Sequence, residues 1–174
     1  GNQMLIINNT DKSAYTYASS SFTLKESSFY EISLWVRSYA LSDGEKEGVY
    51  VEMYLGSANE TDKPFIFEAI ASETWKEYKF YVQTLDDDVT SATVKLSLGK
   101  YIANEIDGET VVTGLTSGYA MFDDVTITKV DEETFNAAKE QEATVDNVKT
   151  RKVSNETKGS GDDNKDDGNT DTPD

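Results

Sequence analysis

The chain has 174 residues, no cysteine, no histidine and a formal net charge of −17. This length fits one domain with an appendage, because a single core usually serves about 100–200 residues. Without thiol or imidazole side chains, the sequence excludes disulfides, cysteine nucleophiles, histidine bases and the common zinc sites. The negative charge argues against nucleic acids and anionic membranes as partners, since both would repel the chain.

Alternating apolar and polar residues run from residue 3 to about residue 130, interrupted by clusters of Gly, Asp, Ser and Asn. A period of two is typical of half-buried β-strands. It predicts about eight strands, at residues 3–8, 13–24, 29–39, 49–55, 64–70, 75–82, 93–98 and 119–130. Because no helical pattern separates these runs, we expect an all-β sandwich of two antiparallel sheets over residues 1–130.

Two connections are longer than a hairpin needs, at residues 41–48 and 99–117. Loops of this size in compact domains are often functional. The second connection could be a functional loop of this kind, or it could contain a short extra strand around residues 110–113, and the sequence favours neither interpretation.

The pattern changes after residue 130. Residues 131–142 begin with acidic side chains and continue with good helix formers, which predicts a short helix or connector. From residue 143 aromatic side chains are absent, and Asp, Asn, Gly, Lys, Ser and Thr dominate. Such a segment buries too little apolar surface to offset chain entropy, so residues 143–174 are predicted to form a disordered acidic linker. The alternatives are an acidic interaction tail or a segment that collects calcium.

Several segments carry a resemblance to a known family: SAYTYASSSFTL, SFYEISLWVRS, EGVYVEMYLG, ETWKEYKFYV, ATVKLSLGK and GYAMFDDVTITKV. Over most of residues 3–130 the chain resembles galactose-binding-like jelly-roll domains, which include many carbohydrate-binding modules of bacterial secreted and cell-surface proteins. The most specific parts are the strand with Trp75, Tyr78 and Phe80 and the closing Phe-Asp-Asp-Val strand. The resemblance implies a jelly roll without catalysis, located outside the cell or on its surface. It also implies a polysaccharide or host glycan as partner, besides neighbouring domains of a parent protein.

The resemblance also implies a structural calcium between the N-terminal strand region and the last strand, where Asp123 or Asp124 matches the acidic position. Family members usually open with an Asn-rich or Glu-containing segment before the run at residues 3–8, and this sequence lacks it. An alternative for the two aspartates is a β-bulge in which a carboxylate caps backbone amides. Gly1 in place of Met indicates an excised piece, whose signal peptide or anchor would lie outside these residues. No apolar run is long enough to span a bilayer.

Strand alternation sorts side chains by face. Apolar rows are predicted to face the core in the strands at 29–39, 49–55 and 93–98, and Phe122, Val125 and Ile127 are predicted to be buried in the last strand. In the strands at 29–39 and 49–55 the other side chains are predicted to point outward. Six of them form a mixed aromatic and charged row that we predict to bind glycan: Trp35, Arg37, Tyr39, Tyr50, Glu52 and Tyr54. A pyranose stacks its apolar face on flat rings, and its hydroxyl groups need polar partners. Tyr101 and Tyr119 could extend this platform, whereas Tyr15 and Tyr17 alternate with small residues near a sheet edge.

Other roles for the aromatic face remain open. A loop, the helix or a neighbouring domain could cover these rings, and they could form a protein interface in a structural or adhesive spacer domain. An enzyme is the weakest hypothesis. Glu31, Glu52 and Glu68 lie on predicted strands, but no acid and base pair in contrasting environments is recognisable among them.

Overall fold

The computed structural model describes residues 4–42, 47–56, 63–87 and 89–155. Its elements, numbered in chain order, are β1 (Leu5–Asn9), β2 (Thr16–Thr23), β3 (Phe29–Tyr39), β4 (Val49–Leu55), β5 (Ile66–Ala69), β6 (Lys76–Thr84), β7 (Ser91–Leu98), β8 (Ile102–Ile106), β9 (Glu109–Thr113), β10 (Gly118–Val130), α1 (Glu132–Glu142) and β11 (Val148–Val153). The eight predicted strands correspond to β1 through β7 and β10, so the all-β prediction is confirmed. No helix in the described part of the chain has the length and apolar character needed to cross a membrane.

Two sheets form the sandwich. The first has five strands in the order β1-β10-β3-β6-β11, and the second has four strands in the order β2-β7-β4-β5. Neighbouring strands are antiparallel except β11, which runs parallel to β6. Because the chain passes back and forth between the sheets, strands that follow one another in sequence often lie in different sheets.

The core fills the space between the sheets. The rows predicted to face inward from β3, β4 and β7 are all buried there, and the largest fully buried side chains include Phe80, Phe122, Ile32, Leu34 and Met53. Removing these residues from water stabilises the fold by about 25 cal/mol for each Å² of apolar surface. The period-of-two interpretation of these strands is therefore confirmed.

The second half of β10 departs from prediction. The register between β10 and β3 shifts between Asp123 and Thr126, as expected for an irregularity at the double aspartate. Val125 and Ile127 were predicted to be buried, but they are 44% and 39% exposed. This prediction is wrong because the described part of β1 pairs with β10 only as far as Phe122. Beyond that point the described residues place no further strand beside this edge of β10.

The C-terminal segment is more ordered than its composition indicates. α1 begins after the N-cap Asp131, whose carboxylate accepts a hydrogen bond from the Thr134 amide at 2.8 Å. Phe135 of the helix packs on Phe29, with ring centroids 5.3 Å apart, and covers one end of the five-stranded sheet. Residues 148–153 then form β11, so the prediction of disorder from residue 143 is wrong for this strand. Residues 156–174 lie outside the described residues.

The connection at 99–117 contains a two-stranded hairpin, β8 and β9, and so confirms the alternative of an extra strand there. The hairpin starts and ends beside Lys100, whose amide donates to the Gly114 carbonyl at 2.8 Å. Its base lies next to the four-stranded sheet, because Lys100 contacts Tyr50 and Tyr101 contacts Tyr15. Part of the other long connection, residues 43–46, lies outside the described residues.

Candidate functional site

The six residues predicted to form one glycan platform lie on opposite sides of the molecule. β3 belongs to the five-stranded sheet and β4 to the four-stranded sheet. Their apolar rows face each other in the shared core, so their outer rows point away from each other. The prediction of a single platform is therefore wrong. Strand parity identified the outward side chains, but it carries no information on which sheet a strand joins.

The five-stranded face, defined as the outer side of the five-stranded sheet, carries Trp35, Arg37 and Tyr39. Trp35 and Tyr39 are 37% and 46% exposed. The Tyr39 ring stacks on Tyr119, with centroids 4.5 Å apart and planes at 7°. The Arg37 Nε donates to the Glu73 carbonyl at 3.0 Å. These residues form an accessible aromatic patch, separated from the β4 residues by the full thickness of the sandwich.

The four-stranded face, defined as the outer side of the four-stranded sheet, carries Tyr50, Glu52 and Tyr54. All three are buried, at 4%, 5% and 7% exposure. Strand register aligns Glu52 with Lys95 of β7 on one side and with Phe67 of β5 on the other. The β4 residues thus form the floor of this face. They do not present free aromatic rings, and for them the alternative of intramolecular packing holds.

An ion pair lies at the centre of this floor. Lys95 Nζ is 3.7 Å from Glu52 Oε2, and the Tyr54 hydroxyl donates a hydrogen bond to the same oxygen. Lys95 also lies over two rings, 4.3 Å from the Tyr17 centroid and 4.8 Å from the Tyr15 centroid. Contacts of this kind attract a cation to the electron-rich ring face. The pair therefore holds Tyr15 and Tyr17 in place on the sheet.

These contacts shift the titration of the central groups. Burial lowers the pKa of Lys95, but the Tyr15 hydroxyl and the Glu52 carboxylate raise it by more, so its net shift is upward. Burial also raises the pKa of Tyr15, against the smaller opposing effect of Lys95. At neutral pH the floor therefore contains a charged Lys95 ammonium and a neutral Tyr15 phenol.

Two exposed rings flank this polar floor. Tyr17 lies on the outer strand β2 and is 51% exposed, and Phe67 lies on the outer strand β5 and is 46% exposed. Phe67 is held by Tyr50, with ring centroids 5.3 Å apart and planes at 24°. Three strand spacings separate β2 from β5, which places the two rings roughly 15 Å apart. The face thus has an apolar ring at each side and charged or hydroxyl groups between them.

A cleft of about 540 Å³ opens at the hairpin end of this face. Lys100 reaches over the buried Tyr50 ring, with Nζ 5.4 Å from its centroid. β9 and the segment after it form one wall. The lining residues are Lys12, Glu47, Tyr50, Lys100, Val112, Thr113, Gly114, Leu115 and Thr116. The cleft therefore combines an aromatic floor with two lysines, one carboxylate and several hydroxyl groups.

The two aspartates assigned to calcium, Asp123 and Asp124, lie at the irregularity in the register between β10 and β3. Calcium binds six to eight oxygen ligands. The described residues include no group of three or more acidic side chains that could hold a metal ion. The Asp123 carboxylate accepts the Asp124 amide at 2.9 Å, and Asp124 has a φ of 47°. This geometry is that of the bulge alternative, and calcium binding stays a prediction.

The three strand glutamates considered for catalysis already have partners. Glu31 accepts a hydrogen bond from the Tyr81 hydroxyl at 2.6 Å, and Glu68 lies 3.7 Å from Arg151. Glu52 is the buried partner of the central lysine. Glu31 and Glu52 also lie on different sheets. The structure does not bring these carboxylates together as a pair across one site.

No protein-family model matches the chain, and no curated protein matches it. A solved structure described as "CBM4 structure and function" is similar to this chain at 15% sequence identity, with a TM-score of 0.49. The similarity covers 73% of this chain and 71% of that chain.

Sequence reasoning missed four residues of the four-stranded face: Tyr17, Phe67, Lys95 and Lys100. Parity correctly placed Lys95 on the outside of β7, but a single lysine on a solvated strand is an ordinary observation. Tyr17 was placed near a sheet edge, which fits its position on the outer strand β2. What joins these residues is the strand order β2-β7-β4-β5, and no local pattern encodes that order.

Proposed function

We propose that the protein is a non-catalytic carbohydrate-binding module that holds an extended glycan along its four-stranded face. The observation that supports this most directly is the pair of exposed rings, Tyr17 and Phe67, on either side of a polar floor. Pyranose rings present an apolar C–H face that packs on a flat aromatic surface. Two such surfaces at this separation can hold several sugar residues in a row.

The floor between the rings supports hydrogen bonding to sugar hydroxyl groups. Next to this floor, in the register row beyond that of Phe67, Ser21 and Thr93 share a hydrogen bond of 2.8 Å across β2 and β7, and Thr93 donates to the Gly56 carbonyl at 2.7 Å. Lys95 is fixed by its ion pair and by two rings. Because these groups are ordered before a ligand arrives, binding costs little side-chain entropy.

The proposal includes a setting for the module. We expect it to belong to a larger bacterial protein outside the cell or on its surface. There it would attach neighbouring domains to a polysaccharide or a host glycan. One module of this kind binds glycan weakly, because each side chain of the face contributes little. Repeated modules in one parent protein would therefore increase the overall affinity.

Isothermal titration calorimetry against a panel of plant, microbial and host oligosaccharides tests the proposal. At least one member is expected to bind with a Kd between about 1 μM and 1 mM. Chromatography of the same samples is expected to show no shorter products, since the module only binds. A blank result across the panel at millimolar sugar would contradict a carbohydrate-binding function, and shorter products would contradict the absence of catalysis.

A second candidate function is docking of another domain or protein on the five-stranded face. The exposed Trp35 and the stacked pair of Tyr39 and Tyr119 favour it, because contiguous exposed aromatic surface often marks an interface. The protein would then be a structural or adhesive spacer. The two candidate functions use opposite faces, so each can be tested by substitutions that leave the other face intact.

A further inference from the structure

The side chains that line the cleft carry two positive charges and one negative charge, Glu47, although the chain as a whole carries −17. Lys12 and Lys100 both line it. Lys95 lies on the adjoining part of the four-stranded face. At physiological ionic strength the Debye length is about 8 Å, so charges far from the cleft are largely screened there. The charges that lie at the cleft itself, two lysines against one glutamate, therefore determine which ligand charges it favours.

Lys100 differs from Lys95 in the groups that contact its ammonium. The Lys95 ammonium is paired with Glu52 at 3.7 Å. Lys100 is half-buried and lies over the Tyr50 ring. Within the described ranges of the chain, no carboxylate is within 4.0 Å of its ammonium. Its ammonium thus lines the cleft with an aromatic ring beneath it and, among the described residues, no carboxylate within ion-pair distance.

The geometry points to an anionic sugar residue as the occupant of this cleft, with its carboxylate or sulfate group on Lys100. The inference rests on the proposed glycan-binding function and specifies the class of glycan. A charged group accepts a stronger hydrogen bond from an ammonium than a hydroxyl does. The Tyr50 ring forms an apolar floor beneath the site, while Glu47 and Thr113 at the rim offer partners for the neutral hydroxyl groups of the same sugar. The other sugar residues of the glycan then extend along the four-stranded face between Tyr17 and Phe67.

Calorimetry on the full chain with three matched probes tests this inference: a uronate oligosaccharide, its carboxyl-reduced form of the same length and linkage, and a sulfated oligosaccharide. The unsubstituted protein is expected to bind an acidic probe roughly tenfold more tightly than the reduced form, the effect of one charged hydrogen bond. K100Q removes the charge, leaves a polar side chain and shortens it by one atom. It is expected to lose this preference, whereas K100R retains it. The uronate and sulfate probes identify which anion the cleft prefers.

K129Q is the matched control, because Lys129 is an exposed lysine of β10 in the other sheet. It is expected to leave the affinities for all probes unchanged. Raising the salt concentration is expected to weaken the acidic probes in the unsubstituted protein and to have little effect on K100Q. Equal affinity for the acidic and reduced probes, or an unchanged preference in K100Q, would overturn the inference and leave the proposed function standing. Failure of all glycans to bind would remove both.

Discussion

The double substitution Tyr17→Ala and Phe67→Ala is expected to weaken glycan binding by roughly 100-fold. Each ring offers a flat surface for one sugar, and one stacked contact contributes about 1–1.5 kcal/mol. Both side chains are about half exposed and lie on the outer strands of their sheet, so the fold should tolerate their loss. Calorimetry with the tightest oligosaccharide of the panel measures the change, and circular dichroism verifies the fold.

The matched control for this experiment is Trp35→Ala with Tyr39→Ala, which removes two exposed rings from the five-stranded face. Glycan affinity should not change in this variant. If the control lost binding while the Tyr17 and Phe67 variant kept it, the glycan would lie on the five-stranded face. That result would contradict the proposed site. The two variants remove similar exposed aromatic area, so a general loss of stability would affect both.

Lys95→Met is expected to lower the free energy of unfolding by about 2–4 kcal/mol, because it leaves the buried Glu52 carboxylate without its counterion. The Glu52 side chain is 7% exposed and that of Lys95 is 16% exposed. Adding Glu52→Gln removes the unpaired charge, so the double variant should recover most of the lost stability. Urea denaturation of the four proteins in this cycle measures the coupling between the two side chains.

Lys79→Met offers a control with the same charge separation. Lys79 and Glu31 are also 3.7 Å apart, but their side chains are 34% and 22% exposed. A solvated pair contributes at most about 1 kcal/mol, so this substitution should have a small effect. If Lys95→Met were no more destabilising than Lys79→Met, the description of the floor as a buried ion pair would be wrong.

Strand positions and side-chain faces could be predicted from the sequence because both depend on local alternation. The row of Val49, Val51 and Met53 is inward in the structure as predicted. The pairing of strands depends on contacts between residues distant in the chain, such as Glu52 with Lys95. For that reason the outward rows of β3 and β4 were combined into one platform, whereas they lie on different sheets.

β11 shows a second limit of sequence reasoning. Its residues include Lys149, Arg151 and Lys152, a composition that is also typical of a solvated linker. Charged side chains are common on edge strands, where they discourage pairing with other molecules. The apolar signal was confined to Val148, which packs under α1, and Val153, which joins the main core. Two such residues in an acidic, aromatic-free segment were too few to predict a strand.

The hairpin β8 and β9 illustrates the same limit near the site. A strand at residues 110–113 was recognisable from its β-branched residues, but the role of the hairpin as a cleft wall depends on its position beside Tyr50. Gly99 and Gly114 adopt positive φ angles of 80° and 83° where the hairpin meets the sandwich. A β-carbon on Gly114 would lie 2.8 Å from the Lys100 carbonyl oxygen, so the close approach of these two segments requires glycine there.

The most direct test of the account is an NMR titration of backbone amides with the tightest oligosaccharide of the panel. We predict that the largest chemical-shift changes will lie in β2, β4, β5 and β7 and at residues 99–101 and 112–116. Amides of β3 and β10 around Trp35 and Tyr119 should change little. Shifts concentrated on that opposite sheet would contradict the assignment of glycan binding to the four-stranded face.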